Sequence, residues 1–242
     1  MKAVILAAGC GRRLGTASRQ LPKAVVPLLG DPLLFRILDL CDLKLFDEVI
    51  VVGGYGYHLV EAALGHRGRA CRLLHNRQFR KGSVLTLMTA LPYLDNSFLI
   101  ANVDHIYPRR LFRKFLERGE GVTAACDFDR PLVSDDMKIR IDKAARMTAI
   151  GKKMMTYDGG YIGMTTVSKD YLETYKRAVR ATISGRGESA NVEQILETLI
   201  GWGEFPRIFD ASGLGPWWEV DTQAELMKAE TEIPKAREGS FS

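Results

Sequence analysis

The opening stretch, MKAVILAAGCGRRLGTASRQLPKAVVP, constrains the fold of this chain more than any other. It begins with Ala3-Val4-Ile5-Leu6-Ala7, a short apolar run that reads as a strand buried on both faces of a parallel sheet. The run breaks into Gly9-Cys10-Gly11-Arg12-Arg13-Leu14-Gly15. Glycines there let the backbone turn sharply and bring its N–H groups close to an anionic ligand. Arg12, Arg13, Arg19 and Lys23 place positive charge in the same loop. A buried strand feeding a glycine-rich cationic loop predicts a polyphosphate site.

Two familiar phosphate-loop patterns fail on detail. A dinucleotide fingerprint needs Gly-x-Gly-x-x-Gly and an acidic residue closing the second strand. Here Leu14 stands where the third glycine belongs, Gly15 comes one place late, and the second strand ends in Gly53-Gly54. A Walker A loop needs Gly-Lys-Ser/Thr, which the stretch lacks.

The rest of the chain alternates strand and helix patterns. After the turn Gly30-Asp31-Pro32, apolar residues at helical spacing predict a helix over Leu33 to Phe46. Strands are expected at Glu48–Val52, Ala70–His75 and Phe98–Val103, with helices at Tyr57–Leu64 and Ser83–Tyr93 between them. Such alternation argues for a parallel sheet covered on both faces. The second half is less regular, with strands expected at Gly121–Cys126, Met137–Asp142, Met147–Ile150, Tyr161–Thr166, Phe205–Phe209 and Glu219–Asp221. Helices are expected at Leu111–Leu116, Asp170–Ala181 and Val192–Ile200, and from the cap Thr222 to about Ala229. No repeat or linker divides the chain, so one domain is expected. Residues 1–110 would form the half with the phosphate loop, 111–230 the other half, and the polar tail beyond would fray.

At 242 residues, 46% hydrophobic and 26% charged, the composition is that of a globular protein, and a net charge of +5 favours anionic partners. Cys10, Cys41, Cys71 and Cys126 show no metal or disulfide spacing and read as thiols of a reducing compartment. The start is not a secretory signal and no run approaches a membrane span, so a cytoplasmic location is expected. No RNA- or DNA-reading motif is present, which argues against a nucleic-acid partner.

Asp104 stands just after the buried run Phe98-Leu99-Ile100-Ala101-Asn102-Val103, where ligands of open α/β sheets bind. A carboxylate there can take a hard divalent cation or simply cap a helix. Asp221, in Trp217-Trp218-Glu219-Val220-Asp221-Thr222, lies at another strand end, and Glu219 would face the same way. His105 reads as a structural or acceptor-contacting residue, because neighbours in an extended chain point apart. The clusters Arg67-Gly68-Arg69 and Arg109-Arg110 with Arg113-Lys114 read as solvated faces.

Leu6-Ala7-Ala8-Gly9-Cys10-Gly11-Arg12-Arg13-Leu14, followed by Pro22-Lys23, resembles a nucleotidyltransferase family. That family includes the sugar-nucleotide pyrophosphorylases and the small cytidylyltransferases, with the pattern L-A-A-G-x-G-x-R-L and then P-K. The resemblance implies a three-layer α/β/α fold, Rossmann-like, with a mostly parallel mixed sheet and antiparallel additions. It implies transfer of a nucleotidyl group from a nucleoside triphosphate, CTP above all, to a small phosphorylated acceptor, with Mg²⁺ as cofactor. It assigns Lys23 to the α-phosphate and Arg13 to the β- and γ-phosphates, with Arg12 and Gly11 in the same loop. Backbone from Leu6 through Ala7, Ala8 and Gly9 would hold base and ribose, Gly82 and Ser83 would lie beneath the base, and Asp104 with Asp221 would hold the metal.

The stretch Asn102-Val103-Asp104-His105-Ile106-Tyr107, with Lys138-Ile139-Arg140-Ile141 and Ile150-Gly151-Lys152, resembles the inositol-1-phosphate branch of the family. Lys138 and Lys152 would then bind the acceptor phosphate. Gly82-Ser83-Val84-Leu85-Thr86-Leu87 and Ala190-Asn191-Val192-Glu193 look as much like the phosphocholine and phosphonate enzymes. A choline pocket would want an aromatic cage, for which Tyr157, Tyr161, Trp217 and Trp218 are available. Tyr161 and Trp218 are the expected acceptor contacts. A sugar-1-phosphate enzyme using UTP or dTTP and a nucleotide-sensing subunit without catalysis remain as alternatives. The oligomeric state is open, a homodimer included.

Overall fold

The computed structural model describes residues 1–18, 21–41, 44–67 and 70–238. Arg19, Gly68 and Arg69, read above as loop or surface cations and their spacer, lie outside the described residues. The first half runs β1 (Lys2–Ala7), the short pair β2 (Pro27–Leu28) and β3 (Asp31–Pro32), α1 (Leu33–Leu38), β4 (Glu48–Gly53), α2 (Tyr57–Arg67), β5 (Arg72–His75), α3 (Ser83–Ala90), β6 (Phe98–Asn102) and β7 (His105–Ile106). The second runs α4 (Arg109–Glu117), β8 (Val122–Asp127), β9 (Lys138–Ile141), β10 (Met147–Gly151), β11 (Gly159–Val167), α5 (Leu172–Arg186), α6 (Glu193–Gly201), β12 (Arg207–Asp210), β13 (Trp218–Glu219) and α7 (Gln223–Glu238).

Nine strands form one mixed sheet in the order β10-β9-β11-β6-β1-β4-β5, with β8 on β11 and β12 on β8. The pairs β6-β1, β1-β4 and β4-β5 are parallel, while β11 runs antiparallel to β6, β8 and β9. Alternation along β1 explains the layers. Val4 and Leu6 join the apolar cluster that holds α3, α5 and α6, whereas Ala3, Ile5 and Ala7 join the one that holds α1 and α4. This is the three-layer mixed α/β architecture expected.

The chain leaves β1 on one side, through β4 and β5, and returns to its other side at β6. The direction of winding therefore switches at β1, and the crevice beyond the carboxyl ends of β1 and β6 is where such sheets bind ligands. The glycine-rich loop follows β1, and Asp104 follows β6, so both open into that crevice.

Some boundaries differ from the expectations. Helix α1 stops at Leu38 rather than Phe46, although Leu40, Cys41 and Phe46 remain buried. Apolar spacing continues there because the chain stays against the core after leaving the helix. Helix α7 continues to Glu238, across the residues expected to fray. Ala229 and Ile233, one turn apart, are buried and dock it.

Candidate active site

A cavity of about 690 Å³ opens over the glycine loop. Of the residues expected at the nucleotide, Gly9, Gly11, Arg12, Arg13, Lys23, Asp104 and Asp221 line it. Gly11 sits at φ +60°, a left-handed conformation that glycine adopts without strain, and this turns the loop back over Lys23. The Lys23 backbone N–H then donates to the Gly9 carbonyl at 3.2 Å, closing the loop.

The centre of the site is the buried Lys23 ammonium, which donates to Asp104 Oδ2 at 2.5 Å and to Asp221 Oδ1. Arg13 ion-pairs with the other Asp221 oxygen and, at 2.6 Å, with Asp135. His105 Nδ1 lies 2.6 Å from Asp104 Oδ1. Strand pairing makes this convergence: β13 runs antiparallel to β7, with Glu219 opposite His105, and the Val220 N–H donates to the Asp104 carbonyl at 2.9 Å. Asp221 is thereby carried alongside Asp104.

Electrostatics follow from burial and charge pairing. Burial alone would push the Asp104 carboxyl up, but the Lys23 ammonium and then His105 outweigh it and hold it far below the usual carboxylate range. Burial works against the Lys23 charge, yet Asp104 and Asp221 raise its pKa above the ordinary value. His105 is likewise raised: burial opposes its charge and Asp104 and Glu219 favour it. Burial raises Glu219 despite the neighbouring His105. Carboxylate or imidazole ligand atoms of Asp104, His105 and Glu219 lie within 4.8 Å of one another.

A second cavity adjoins the first, lined by Asn102, His105, Asp135, Lys152, Tyr161, Glu193, Trp217 and Glu219 among others. Lys152 and Tyr161, two of the residues expected at the acceptor, fall on its wall. Trp218 does not. Its indole N–H donates to Glu232 of α7 at 2.9 Å and its ring packs under that helix, because neighbours on a strand face opposite sides. Trp217 is the tryptophan at the cavity. Lys138, also expected at the acceptor, does not line the cavity: its buried ammonium donates to the carbonyls of Val133 at 2.6 Å and of Asp136 and Lys152 at 3.2 Å.

Gly82 and Ser83 do not reach the nucleotide cavity wall. The Gly82 N–H donates to the Glu188 carbonyl at 2.8 Å, and Ser83 Oγ accepts from the Val192 N–H at 3.0 Å, so both fasten α3 to the loop before α6. Leu6, Ala7 and Ala8 are buried beneath the loop, where the Leu6 and Ala8 carbonyls accept from the Val103 and Tyr55 N–H groups. Sequence reasoning missed Tyr55, Phe79, Arg80 and Lys81, which line the first cavity, with the Tyr55 and Phe79 rings 6.0 Å apart. The basic pair before Gly82 was the available signal. It also missed Asp135 as a wall residue, which carries no pattern to find it by, while Trp217 was among the four aromatic candidates.

A parallel core switching at β1, with a cationic glycine loop and two carboxylates in the crevice, defines a nucleotide-handling α/β protein of the nucleotidyltransferase type. A family model of the MobA-like NTP transferase domain matches residues 3–186, most of the chain, and the chain belongs to that family. It is 31% identical over 235 residues to a bifunctional IPC transferase and DIPP synthase of Rubrobacter xylanophilus, which covers 94% of this chain and 51% of the relative. It is 26% identical to the Archaeoglobus fulgidus protein of the same description, over 98% of this chain and 44% of the relative. The chain thus spans about half the length of these curated relatives. Its fold matches the inositol-1-phosphate CTP transferase from T. maritima with a TM-score of 0.83 at 20% identity, covering 98% of this chain and 96% of that one. It matches the CTP:phosphocholine cytidylyltransferase from Streptococcus pneumoniae with a TM-score of 0.77 at 18% identity, covering 96% and 98%. No helix among the described residues is long and apolar enough to cross a membrane.

Proposed function

We propose that the chain is a Mg²⁺-dependent cytidylyltransferase that joins CTP to a small phosphorylated polyol, inositol 1-phosphate leading, and releases pyrophosphate. One observation carries the reading: Lys23 gathers Asp104 and Asp221 at the floor of the triphosphate-sized cavity, where the acceptor cavity meets it. The names of the two long-matching curated relatives, both bifunctional IPC transferases, support the reading, as do both structural neighbours, which use CTP by name; shorter matches include a UTP--glucose-1-phosphate uridylyltransferase of Haloferax volcanii.

An acceptor phosphate oxygen attacks the α-phosphorus in line; a new P–O bond forms and the bond to the β-phosphate oxygen breaks. The protein supplies no nucleophile. It holds two anions together and neutralises charge as it shifts toward the leaving group. Lys23 serves the α-phosphate, and the Arg13 fork serves the β- and γ-phosphates. Asp104 and Asp221 converge on the Lys23 ammonium, and the two carboxylates are a hard oxygen set that would hold Mg²⁺, which would offset the triphosphate charge when bound. The Tyr55 and Phe79 rings give the base an aromatic wall. Residues 1–110 supply most of the nucleotide cavity wall, with Asp221 added from beyond them, and residues 111–230 most of the acceptor cavity wall, with Asn102 and His105 added from the first half.

The acceptor cavity favours a polyol over a quaternary ammonium. The Trp217 ring already has the Arg130 guanidinium 4.4 Å from its centroid, and Tyr157 has the Lys138 ammonium at 5.7 Å. A choline head would enter against cations already on those rings. Asn102, Glu193 and Glu219 offer hydrogen-bond partners for hydroxyl groups instead. The test is pyrophosphate release with CTP, UTP and dTTP against inositol 1-phosphate, phosphocholine, 2-aminoethylphosphonate and glucose 1-phosphate. Release with CTP and inositol 1-phosphate is expected. Release only with glucose 1-phosphate, or only with phosphocholine, overturns the acceptor. No release under any pairing supports a nucleotide-sensing role.

A further inference from the structure

Asp135 sits where the two cavities meet. Its carboxylate accepts from Arg13 Nη1 at 2.6 Å through one oxygen and from Lys152 Nζ at 2.5 Å through the other. Arg13 lines the nucleotide cavity and Lys152 the acceptor cavity, so Asp135 bridges the cations of both. The surrounding turn is braced rather than loose. Asp136 Oδ2 accepts from the Val133 N–H at 2.7 Å and Asp136 Oδ1 from Arg130 at 3.2 Å. The Lys138 ammonium ties the carbonyls of Val133 and Asp136 to that of Lys152. Lys138 thus fixes both the turn that presents Asp135 and the backbone that presents Lys152.

A carboxylate that spans a guanidinium and an ammonium has the charge and shape of half a phosphate. We propose that Asp135 is a specificity-determining residue. It occupies the anion seat between Arg13 and Lys152 in the free protein, gives up Arg13 to the incoming triphosphate, and gives up Lys152 only to a doubly charged phosphate monoester, the acceptor's phosphate. The proposal rests on the cytidylyltransferase reading for the identity of that ester. Arg13, Asp135 and Lys152 are each about half exposed, at 56%, 54% and 44% of their side-chain surface. Water screens such pairs, so phosphate displaces the carboxylate from both cations in the nucleotide-free protein, and from Lys152 once the triphosphate holds Arg13. A neutral polyol offers the cations nothing in exchange and is kept out. Asp135 also keeps Arg13 turned toward the acceptor side before a nucleotide arrives.

The experiment measures binding of inorganic phosphate to the full chain by calorimetry, without metal and at fixed ionic strength. Asp135→Asn and Asp135→Ala should each tighten phosphate binding by about threefold to tenfold, the range that releasing two exposed ion pairs supports. Acetate should compete with phosphate in Asp135→Ala, where the seat is open, and not in the wild type. The gain should vanish when Arg13→Gln or Lys152→Gln is added. Unchanged or weaker phosphate binding in both single variants overturns the proposal. So does a gain that survives either added substitution, or no binding in any protein. A purely structural Asp135 would lower the melting temperature and leave phosphate affinity alone. In turnover with CTP, Asp135→Asn should lower KM for inositol 1-phosphate without raising kcat. Failure of every nucleotide and acceptor pairing, with the phosphate gain intact, would refute the cytidylyltransferase reading and leave the role of Asp135 standing.

Discussion

Asp104 and Asp221, far apart in sequence, accept from the same Lys23 ammonium. The contact exists because β13 pairs with β7 in the register that sets Glu219 opposite His105. Three unrelated stretches, the glycine loop, the end of β6 and the start of α7, are thereby locked around one buried charge. Such a cluster is costly to dismantle, since removing one partner leaves the others buried and unbalanced.

Asp104→Asn and Asp221→Asn keep the side-chain shape and remove the charge. Each should lower pyrophosphate release by about a hundredfold or more, the scale of losing one preorganised electrostatic group. Raising Mg²⁺ should restore part of the loss if these oxygens hold the ion. The melting temperature controls for folding. Wild-type rates in either variant would remove that carboxylate from the chemistry.

Lys23→Met should change how stability depends on pH. In the wild type the folded pKa of Asp104 lies below its unfolded value, about 3.9. The stabilisation is therefore present above about pH 4 and is lost as pH falls toward the folded value. Without the ammonium, His105 alone opposes burial and the folded pKa rises toward the unfolded value. The contribution of that carboxyl to the slope then shrinks. Denaturant midpoints between about pH 3 and 5 should rise with pH in the wild type, and this slope should flatten in the variant. The variant should also be less stable at neutral pH by about 3 kcal/mol or more. An unchanged slope would mean that Lys23 does not control Asp104.

The apolar run, the glycine loop and the Asp104 position were readable from the sequence because each follows from a local pattern: strand, turn, strand end. Asp221 was readable as a strand-end carboxylate within a motif. What joins it to Asp104 is a two-residue strand pair that no periodicity announces. Trp217 and Trp218 could not be told apart, since the face each takes depends on that register. Lys138 alternates with Ile139 as a surface lysine would, but is buried under carbonyls of a turn that only the folded chain supplies. Helix α7 outran its expected end because Ile233 meets a tertiary partner surface, which its polar neighbours conceal.

Gly82→Ala separates a packing role from a ligand role. A Cβ there would stand 1.8 Å from the Ala190 carbonyl oxygen and 2.5 Å from the Ser189 carbonyl carbon. Both are backbone atoms and cannot turn aside. The substitution should destabilise the protein by about 2–4 kcal/mol, read from denaturant unfolding. Ser83→Ala removes the acceptor of the Val192 N–H and should cost about 1 kcal/mol while leaving the nucleotide KM unchanged. A selective rise in nucleotide KM in a stable Ser83→Ala protein would return Ser83 to the nucleotide site.

Glu225 aims Asp221 from behind. Its Oε2 accepts from the Asp221 N–H at 2.9 Å and from the Thr222 N–H at 2.8 Å, while its own N–H donates to Thr222 Oγ1 at 3.2 Å. This reciprocal cap starts α7 and fixes the backbone on which the Asp221 carboxylate is mounted. Thr222→Ala should cost about 1 kcal/mol of stability, the usual worth of such a cap. Glu225→Ala frees two N–H groups at once, so it should lower kcat beyond what its stability loss explains. Glu225→Gln keeps a carbonyl oxygen on those donors and should recover most of the rate. If Gln and Ala behave alike in kcat while differing in melting temperature, Glu225 acts on the helix alone and Asp221 is held in place by its ion pairs with Lys23 and Arg13.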